Sequence, residues 1–269
     1  MNTILSVPSF EPPPPLRPSC QARFLEGGNT AILLLHGFSG YPGEMYYLGE
    51  RLNQAGYTVS IPRLPGHGTS AADFLSTRAE DWLRRATDAY LDLAGRYGKV
   101  YVGGLSMGGA LAIILAGRFP LAGYLLYAPA VVINSPLMPY MGLLRHFVKR
   151  AANASLEEER DPDRQYLAAE YWRWRYPSAL AQLWRVSSLA RGSIRDVDCD
   201  TLVLVSEKDR SVRLEAAERI LRGVKPGVAV SAVKLEESGH VIVNDCEKDK
   251  VAGLTLDWLA SKGERENVS

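Results

Sequence analysis

The feature that most constrains the fold is segment 99–115, in which Gly104, Ser106 and Gly108 form the pattern Gly-x-Ser-x-Gly. A strand-forming run precedes the serine, and a run rich in Ala, Leu and Ile follows it. In this context the pattern predicts a sharp strand-to-helix turn that exposes the serine hydroxyl above a sheet edge. Glycines are expected on both sides because a Cβ would collide in so tight a turn. The alternative is a glycine-rich turn whose serine merely caps the helix.

Strand patterns alternate with helix patterns along most of the chain. Strands are predicted at 31–35, 58–61, 100–102, 123–127, 201–205 and 230–235, and helices at 44–54, 79–94, 110–119, 213–222 and 247–261. Thr77 is a candidate N-cap for the helix at 79–94. Alternation with short loops predicts an α/β fold, with a mostly parallel sheet and helices on both faces. Ligands of such sheets bind at the carboxyl ends of the strands.

Two segments depart from this alternation. Residues 1–19 contain four consecutive prolines and predict an extended arm. Residues 131–194 lack a strand pattern and predict a helical cap, inserted into a core formed by 20–130 and 195–269. The acidic run 157–161 is expected on its solvated surface, with anchoring of a substrate amine as the alternative. Some cap residues could either pack against the core or line a pocket: Leu137, Met138, Met141, Tyr171, Trp172, Trp174, Tyr176 and Trp184.

Composition excludes several functional classes. The net charge of +1 gives no electrostatic footprint for nucleic acid. No apolar run approaches the length of a membrane span, and the first ten residues do not resemble a signal peptide, so no stable membrane insertion is expected. The three cysteines are widely spaced and predict neither disulfides nor zinc, which favours the cytoplasm. No metal or phosphate-loop motif is present, and without a coiled-coil pattern a monomer is expected.

A serine nucleophile needs a base, which the order of the chain points to. In open α/β hydrolases the acid and then the histidine follow the serine. His36 and His67 precede Ser106, and His146 lies in the predicted cap, so His240 is the candidate base. The candidate acid is Asp209, on the loop after the strand at 201–205. Glu207 is a weaker candidate, and three aspartates precede that strand and so fall at its wrong end: Asp196, Asp198 and Asp200.

Attack on an ester carbonyl also requires donors for the oxyanion. The backbone N–H of Met107, directly after the serine, is the first candidate. The second is the N–H of Phe38, in the loop after the strand at 31–35. His36 and His67 are expected to brace their loops by hydrogen bonds rather than to take part in catalysis.

Together these motifs resemble the bacterial carboxylesterase and monoacylglycerol lipase group of the α/β-hydrolase family. The similar segments are 34–40, 66–68, 103–109, 207–209 and 238–241, in the order of the family. The resemblance implies an α/β-hydrolase fold, Ser106 as nucleophile, and Asp209 and His240 as its partners. It also implies oxyanion donors at Phe38 and Met107, no cofactor, and a small-molecule ester substrate with a short to medium acyl chain, monoacylglycerols being among the candidates.

Other functions remain open from the sequence. A thioesterase, a carbon–carbon bond hydrolase or a peptidase could use the same three side chains. The non-enzymatic alternative is a hydrolase fold that acts as a ligand receptor. The presence of all three triad positions and both oxyanion segments argues against that alternative.

Overall fold

The chain is described by a computed structural model over residues 16–153 and 161–266. Seven strands form one sheet, in the spatial order β1-β3-β2-β4-β5-β8-β9, and two short strands pair within the predicted cap. The strands are β1 Arg23–Leu25, β2 Thr30–Leu35, β3 Thr58–Ile61, β4 Lys99–Leu105, β5 Gly123–Tyr127, β6 Ala151–Ala152, β7 Trp174–Arg175, β8 Thr201–Ser206 and β9 Val230–Leu235. Strand β1 runs antiparallel to β3, and the other neighbours in the large sheet are parallel. The predicted mostly parallel sheet is therefore confirmed.

Helices cover both faces of this sheet. They are α1 Tyr46–Gln54, α2 Ala71–Ser76, α3 Ala79–Ala94, α4 Met107–Ala116, α5 Met141–Leu144, α6 Pro162–Leu167, α7 Pro177–Ser193, α8 Glu215–Gly223 and α9 Lys248–Glu266. Successive side chains of a strand point to opposite faces. Accordingly, Leu34 lies in a buried cluster with residues of α1 and α9 on one face. Leu33 lies in the cluster on the other face, which includes residues of α3, α4 and α8. All ten residues of α4 are buried, which explains why this segment is apolar on every side.

The boundaries predicted at 58–61, 79–94, 123–127 and 230–235 are those of the structure. Two expectations about these elements need correction. Thr77 does not cap α3, because its hydroxyl donates to Phe74 O at the end of α2, and Arg78 is the N-cap residue. The helix expected at 44–54 begins as a 3₁₀ turn, Pro42–Met45. Strand β1 and helix α2 were not predicted.

The stretch 131–194 lies between β5 and β8 and contains α5, α6 and α7. It also contains the antiparallel pair β6–β7, which departs from the strand-free cap expected from the sequence. A π-helical turn, Ala168–Trp172, continues α6. Of the acidic run 157–161, residues 157–160 lie outside the described residues. We refer to 131–194 as the cap.

The predicted proline-rich arm falls largely outside the described residues, which begin at position 16. Its described end differs from an extended arm, because Pro18–Cys20 forms a 3₁₀ turn that packs against the protein. The thiol-bearing side chain of Cys20 is buried, and the hydroxyl of Ser19 donates to Asp163 Oδ2 in α6 at 2.8 Å. This turn thus joins the start of the core to the cap.

Hydrogen bonds also join the cap to the core above the sheet. The backbone N–H of Gly68 donates to the hydroxyl of Tyr171 at 3.1 Å. The first residues of α2 and α3, Ala71 and Ala79, donate their N–H groups to Glu170 Oε2 at 3.0 Å and Gln182 Oε1 at 3.2 Å. The first N–H groups of a helix have no partner within it, so cap side chains supply acceptors that these two helices lack.

Candidate active site

Ser106 lies on the turn between β4 and α4, with φ of 54° and ψ of −110°. This backbone conformation is strained for a residue with a Cβ. Two hydrogen bonds hold the turn, because Ser106 N–H donates to Tyr127 O and Ala130 N–H donates to Ser106 O, each at 2.9 Å. The side chain therefore stands at the carboxyl edge of the sheet, where the sequence predicted it.

The two glycines of the motif are required by close backbone contacts. A Cβ on Gly104 would lie 2.6 Å from Gly109 N, and a Cβ on Gly108 would lie 2.6 Å from Leu35 C. Both distances are shorter than real Cβ contacts, and the atoms that would have to move belong to the backbone. The turn therefore excludes any larger residue at either position.

A histidine and a carboxylate meet at the same edge of the sheet. His240 Nδ1 lies 2.7 Å from Asp209 Oδ2, and the Asp209 side chain is only 2% exposed. The other carboxylate oxygen, Oδ1, accepts the N–H groups of Ser211 at 2.7 Å and Val212 at 3.0 Å. Because these bonds fix the carboxylate, it holds the proton of His240 on Nδ1 and leaves Nε2 able to accept another.

The loop that carries His240 is held by two carboxylates that sequence reasoning missed. Glu247 Oε2 accepts the N–H groups of Glu237 and Ser238 at 3.0 and 2.9 Å, and the Ser238 hydroxyl at 3.0 Å. Burial alone would raise the pKa of Glu247. The hydrogen bonds from Glu237, Ser238 and Lys250 outweigh that effect and lower the pKa to about 2. Asp245 Oδ2 accepts the N–H of Gly239 at 2.6 Å. Their only sequence signal is a position just before α9.

His36 and His67 have the bracing contacts expected of them. His36 Nε2 accepts the Leu64 N–H at 3.1 Å, and its Nδ1 donates to Gly37 O at 3.0 Å. His67 Nδ1 donates to Pro65 O at 2.9 Å. Burial lowers the pKa of His36 well below its ordinary value and that of His67 to about 4, which keeps both rings neutral.

The other candidates for the acid have other partners or lie at the other end of β8. Glu207 is exposed and pairs with Lys234. Asp198 pairs with Lys225, and Asp200 pairs with Lys262. Asp196, Asp198 and Asp200 precede β8 at its amino end, away from His240.

Ser106 and His240 line one cavity of about 750 Å³ beneath the cap. Among the hydrogen bonds of the described residues, none joins their side chains, so the structure brings them to one cavity without a hydrogen bond between them. Apolar cap residues form much of its wall: Leu137, Met138, Met141, Leu144, Leu180 and Leu183. For two cap aromatic residues, packing against the core and lining a pocket both apply. Tyr171 and Trp172 line the cavity, and they also form hydrogen bonds with the core, Tyr171 with Gly68 and Trp172 with Ser39. Trp184 is not among the lining residues.

The two candidate oxyanion donors flank the serine. Met107 is the first residue of α4, so its N–H has no partner within that helix. Phe38 follows β2 in the loop 37–40 and contributes to the cavity wall. Its ring packs against Phe74 and Trp82, with centroid distances of 5.4 and 5.9 Å. We refer to 37–40 as the oxyanion loop.

The described residues include no group of three or more His, Cys, Asp or Glu side chains placed to hold a metal ion. None of the helices within 16–153 and 161–266 combines the length and apolar character that crossing a membrane requires.

A parallel sheet with a serine on a strained strand-to-helix turn, and a histidine–carboxylate pair at the same edge, is the arrangement of α/β hydrolases. The chain belongs to the alpha/beta hydrolase family, whose model matches residues 32–254. The predicted fold and the predicted family resemblance are thereby confirmed.

Relatives support the same family membership. The chain is 31% identical over 248 residues to a thermostable monoacylglycerol lipase of Bacillus sp. (strain H-257), covering 91% of this chain and 96% of the relative. It is 30% identical over 235 residues to a carboxylesterase of Bacillus subtilis, covering 87% and 94%. A solved metagenome-derived lipolytic enzyme superposes with a TM-score of 0.82 at 27% identity, covering 92% of this chain and all of that enzyme.

Proposed function

We propose that this protein is a serine carboxylesterase that hydrolyses esters with short to medium acyl chains, with monoacylglycerols among the candidate substrates. The carrying observation is the pair formed by His240 Nδ1 and Asp209 Oδ2 at 2.7 Å, together with the one cavity that both His240 and Ser106 line. The names of the two Bacillus relatives, a monoacylglycerol lipase and a carboxylesterase, agree with this reaction.

In the first half of the proposed reaction, Ser106 Oγ attacks the ester carbonyl carbon while His240 Nε2 takes the hydroxyl proton. Asp209 keeps the imidazole oriented and stabilises the imidazolium that forms. The carbonyl oxygen becomes an oxyanion, which accepts hydrogen bonds from the N–H groups of Phe38 and Met107. One such donor contributes about 3–4 kcal/mol to transition-state stabilisation.

Collapse of this intermediate breaks the bond to the alcohol, which leaves with the proton from His240. The acyl group stays on Ser106 as an ester. In the second half, His240 takes a proton from water, and the resulting hydroxide attacks the acyl carbon. The carboxylic acid then leaves, and the proton returns from His240 to Ser106 Oγ.

The apolar lining of the cavity favours an acyl group as the part of the substrate that contacts the cap. Its apolar lining from the cap includes Met138, Met141 and Leu144 before α6, and Leu180 and Leu183 in α7. Burying each methylene group in such a pocket contributes about 0.8 kcal/mol, so specificity for acyl length is expected to depend on these side chains.

Labelling by a fluorophosphonate probe tests the nucleophile directly. We expect one equivalent of probe on Ser106, no labelling of Ser106→Ala, and hydrolysis of p-nitrophenyl butyrate by the wild type only. A series of oxygen esters, acyl-CoA thioesters, dienone substrates and aminoacyl amides would then separate the esterase from the thioesterase, carbon–carbon hydrolase and peptidase alternatives. A folded wild type that neither labels nor hydrolyses any of them would instead favour a ligand receptor.

The setting of the protein is part of the same proposal. Cys20 and Cys199 are buried free thiols and Cys246 is an exposed one, which supports a reducing compartment such as the cytoplasm. A monomer that binds a small-molecule ester, without a nucleic-acid partner, remains the predicted state. Sedimentation at micromolar concentration measures the oligomeric state.

A further inference from the structure

A carboxylate with no role in the mechanism described so far, that of Glu44, lines the cavity. Glu44 lies on the 3₁₀ turn that follows the oxyanion loop, and its Oε2 accepts the N–H of Gly37 at 3.2 Å. A Cβ placed on Gly37 would lie 3.5 Å from Glu44 Oε2 and 3.7 Å from Ser106 Cβ. Gly37 is therefore flanked by the carboxylate and by the candidate nucleophile.

The same carboxylate packs against the other end of the loop. A Cβ on Gly40 would lie 2.5 Å from Glu44 Cδ, so the carboxyl group occupies the space that any side chain at position 40 would need. The loop itself is a tight turn, closed by the Gly40 N–H donating to Gly37 O at 3.2 Å, and Ser39 within it has φ of 55°. Glu44 thus contacts both ends of a strained four-residue loop.

The charge of Glu44 is sensitive to this environment. Burial raises its pKa to about 7, although the bond from Gly37 and the charges of His240 and Arg164 oppose the increase. Beyond His240 and Arg164, the phenols of Tyr41 and Tyr171 face it from the preceding loop and from the cap. Either protonation state leaves an oxygen that accepts the Gly37 N–H, but only the ionised state opposes an oxyanion nearby.

We propose that Glu44 is a positioning residue that holds the oxyanion loop in the conformation presenting the Phe38 N–H to the substrate carbonyl oxygen. The catalytic consequence rests on the proposed esterase function. The bracing of the loop does not, because it follows from contacts within the free protein.

Three variants separate positioning from charge and from substrate binding. Glu44→Ala removes the acceptor, Glu44→Gln keeps a neutral one, and Glu50→Gln changes an exposed carboxylate of α1 as a matched control. With p-nitrophenyl butyrate as substrate, we expect kcat of Glu44→Ala to fall about 10- to 100-fold with little change in KM. This decrease is smaller than the decrease in kcat expected when an oxyanion donor is removed altogether. Glu44→Gln should recover most of that loss, because its amide oxygen still accepts the Gly37 N–H.

Other kinetic outcomes would overturn the proposal. A raised KM with unchanged kcat in Glu44→Ala would make Glu44 a substrate anchor instead. Equal losses in the alanine and glutamine variants would assign the effect to charge rather than to the acceptor. A Glu44→Ala variant as active as Glu50→Gln would leave Glu44 without a role in positioning.

Two measurements need no activity. Hydrogen–deuterium exchange at the Gly37 amide should accelerate in Glu44→Ala but not in Glu50→Gln, and equal protection in both would contradict the brace. The raised pKa of Glu44 also disfavours its ionised form in the folded state, so wild-type stability relative to Glu44→Gln should fall as pH rises from about 4.5 to 7. If the wild type hydrolyses no ester, the proposed function fails, whereas the exchange result still decides whether Glu44 holds the loop.

Discussion

The indole Nε1–H of Trp172 donates a 2.7 Å hydrogen bond to the carbonyl oxygen of Ser39. The donor belongs to the cap, and the acceptor lies one residue after Phe38 in the oxyanion loop. Ser39 has a positive φ, which residues other than glycine rarely adopt. If its backbone changed to a more common conformation, the carbonyl oxygen would turn away and the hydrogen bond to Trp172 would be lost. The cap therefore helps to fix the loop from above while Glu44 contacts it from the side.

Replacing Trp172 by phenylalanine keeps an aromatic ring but removes the donor. We expect stability to fall by about 1 kcal/mol and kcat/KM to fall several-fold, because the loop loses one restraint. Trp184→Phe is the matched control, since Trp184 is a cap indole that does not line the cavity. Kinetics on p-nitrophenyl butyrate and thermal unfolding measure both effects, and equal kinetic losses in the two variants would contradict the prediction.

The strain at Ser106 predicts a stability difference between two inactive variants. Ser106→Gly relieves the conformation at φ of 54°, because glycine reaches it without a Cβ clash, whereas Ser106→Ala retains the clash. Net of the greater flexibility of glycine in the unfolded chain, we expect Ser106→Gly to be about 1 kcal/mol more stable than Ser106→Ala. The corresponding rise in Tm is about 2–4 °C. Calorimetry of both variants checks this, and a less stable glycine variant would refute strain at the turn.

Gly108 and Gly253 provide a contrasting pair for Gly→Ala replacement. A Cβ at Gly108 would clash with backbone atoms, among them His36 O at 2.8 Å. We therefore expect Gly108→Ala to lower the free energy of unfolding by more than about 3 kcal/mol or to prevent folding. At Gly253, within α9, nothing lies within 4 Å of the added carbon. There alanine should stabilise the helix by about 0.5–1 kcal/mol. Urea unfolding measures both changes, and a fully stable Gly108→Ala would contradict the close packing of the turn.

The loop that carries His240 predicts a pH-dependent stability effect. Glu247 has a pKa lowered to about 2, so its ionised form stabilises the fold above about pH 4.5, and the contribution is lost as pH falls toward 2. At pH 7 Glu247→Gln should cost about 1–3 kcal/mol, since three donors face a weaker acceptor. The difference in unfolding free energy between Glu247→Gln and the wild type should become smaller as the pH falls from 4.5 to 3. Urea unfolding across this range, with exposed Glu236→Gln as control, tests it, and a constant gap would contradict the assigned cause.

Much of the fold could be predicted because its signals are local. The strands 58–61, 123–127 and 230–235 are short apolar or alternating runs bounded by turn residues, and α3 has one continuous apolar face. The order of Ser106, Asp209 and His240 along the chain was informative because each follows a parallel strand, and parallel strands end at one edge. The family follows from the same motifs, whereas the roles of these three side chains, Phe38 and Met107 remain proposals.

Other features depended on contacts that no sequence pattern records. Strand β1 has three residues and α2 has six, too few for a period to emerge from either. Glu44 and Glu247 would be ordinary polar residues near the starts of helices, were it not for the loops that fold back over them. Their hydrogen bonds go to backbone N–H groups, whose positions depend on loop conformation rather than on residue type.

The hydrogen bonds from Ala71 and Ala79 to Glu170 and Gln182 bear on how such enzymes could be engineered. Excising the insertion would not yield a minimal catalytic unit, because the amino ends of α2 and α3 would lose their acceptors. A chimaera that borrows the corresponding segment from a relative would need an oxygen at both places. Recombination between family members is therefore expected to succeed when 68–79 and the insertion are exchanged as one block.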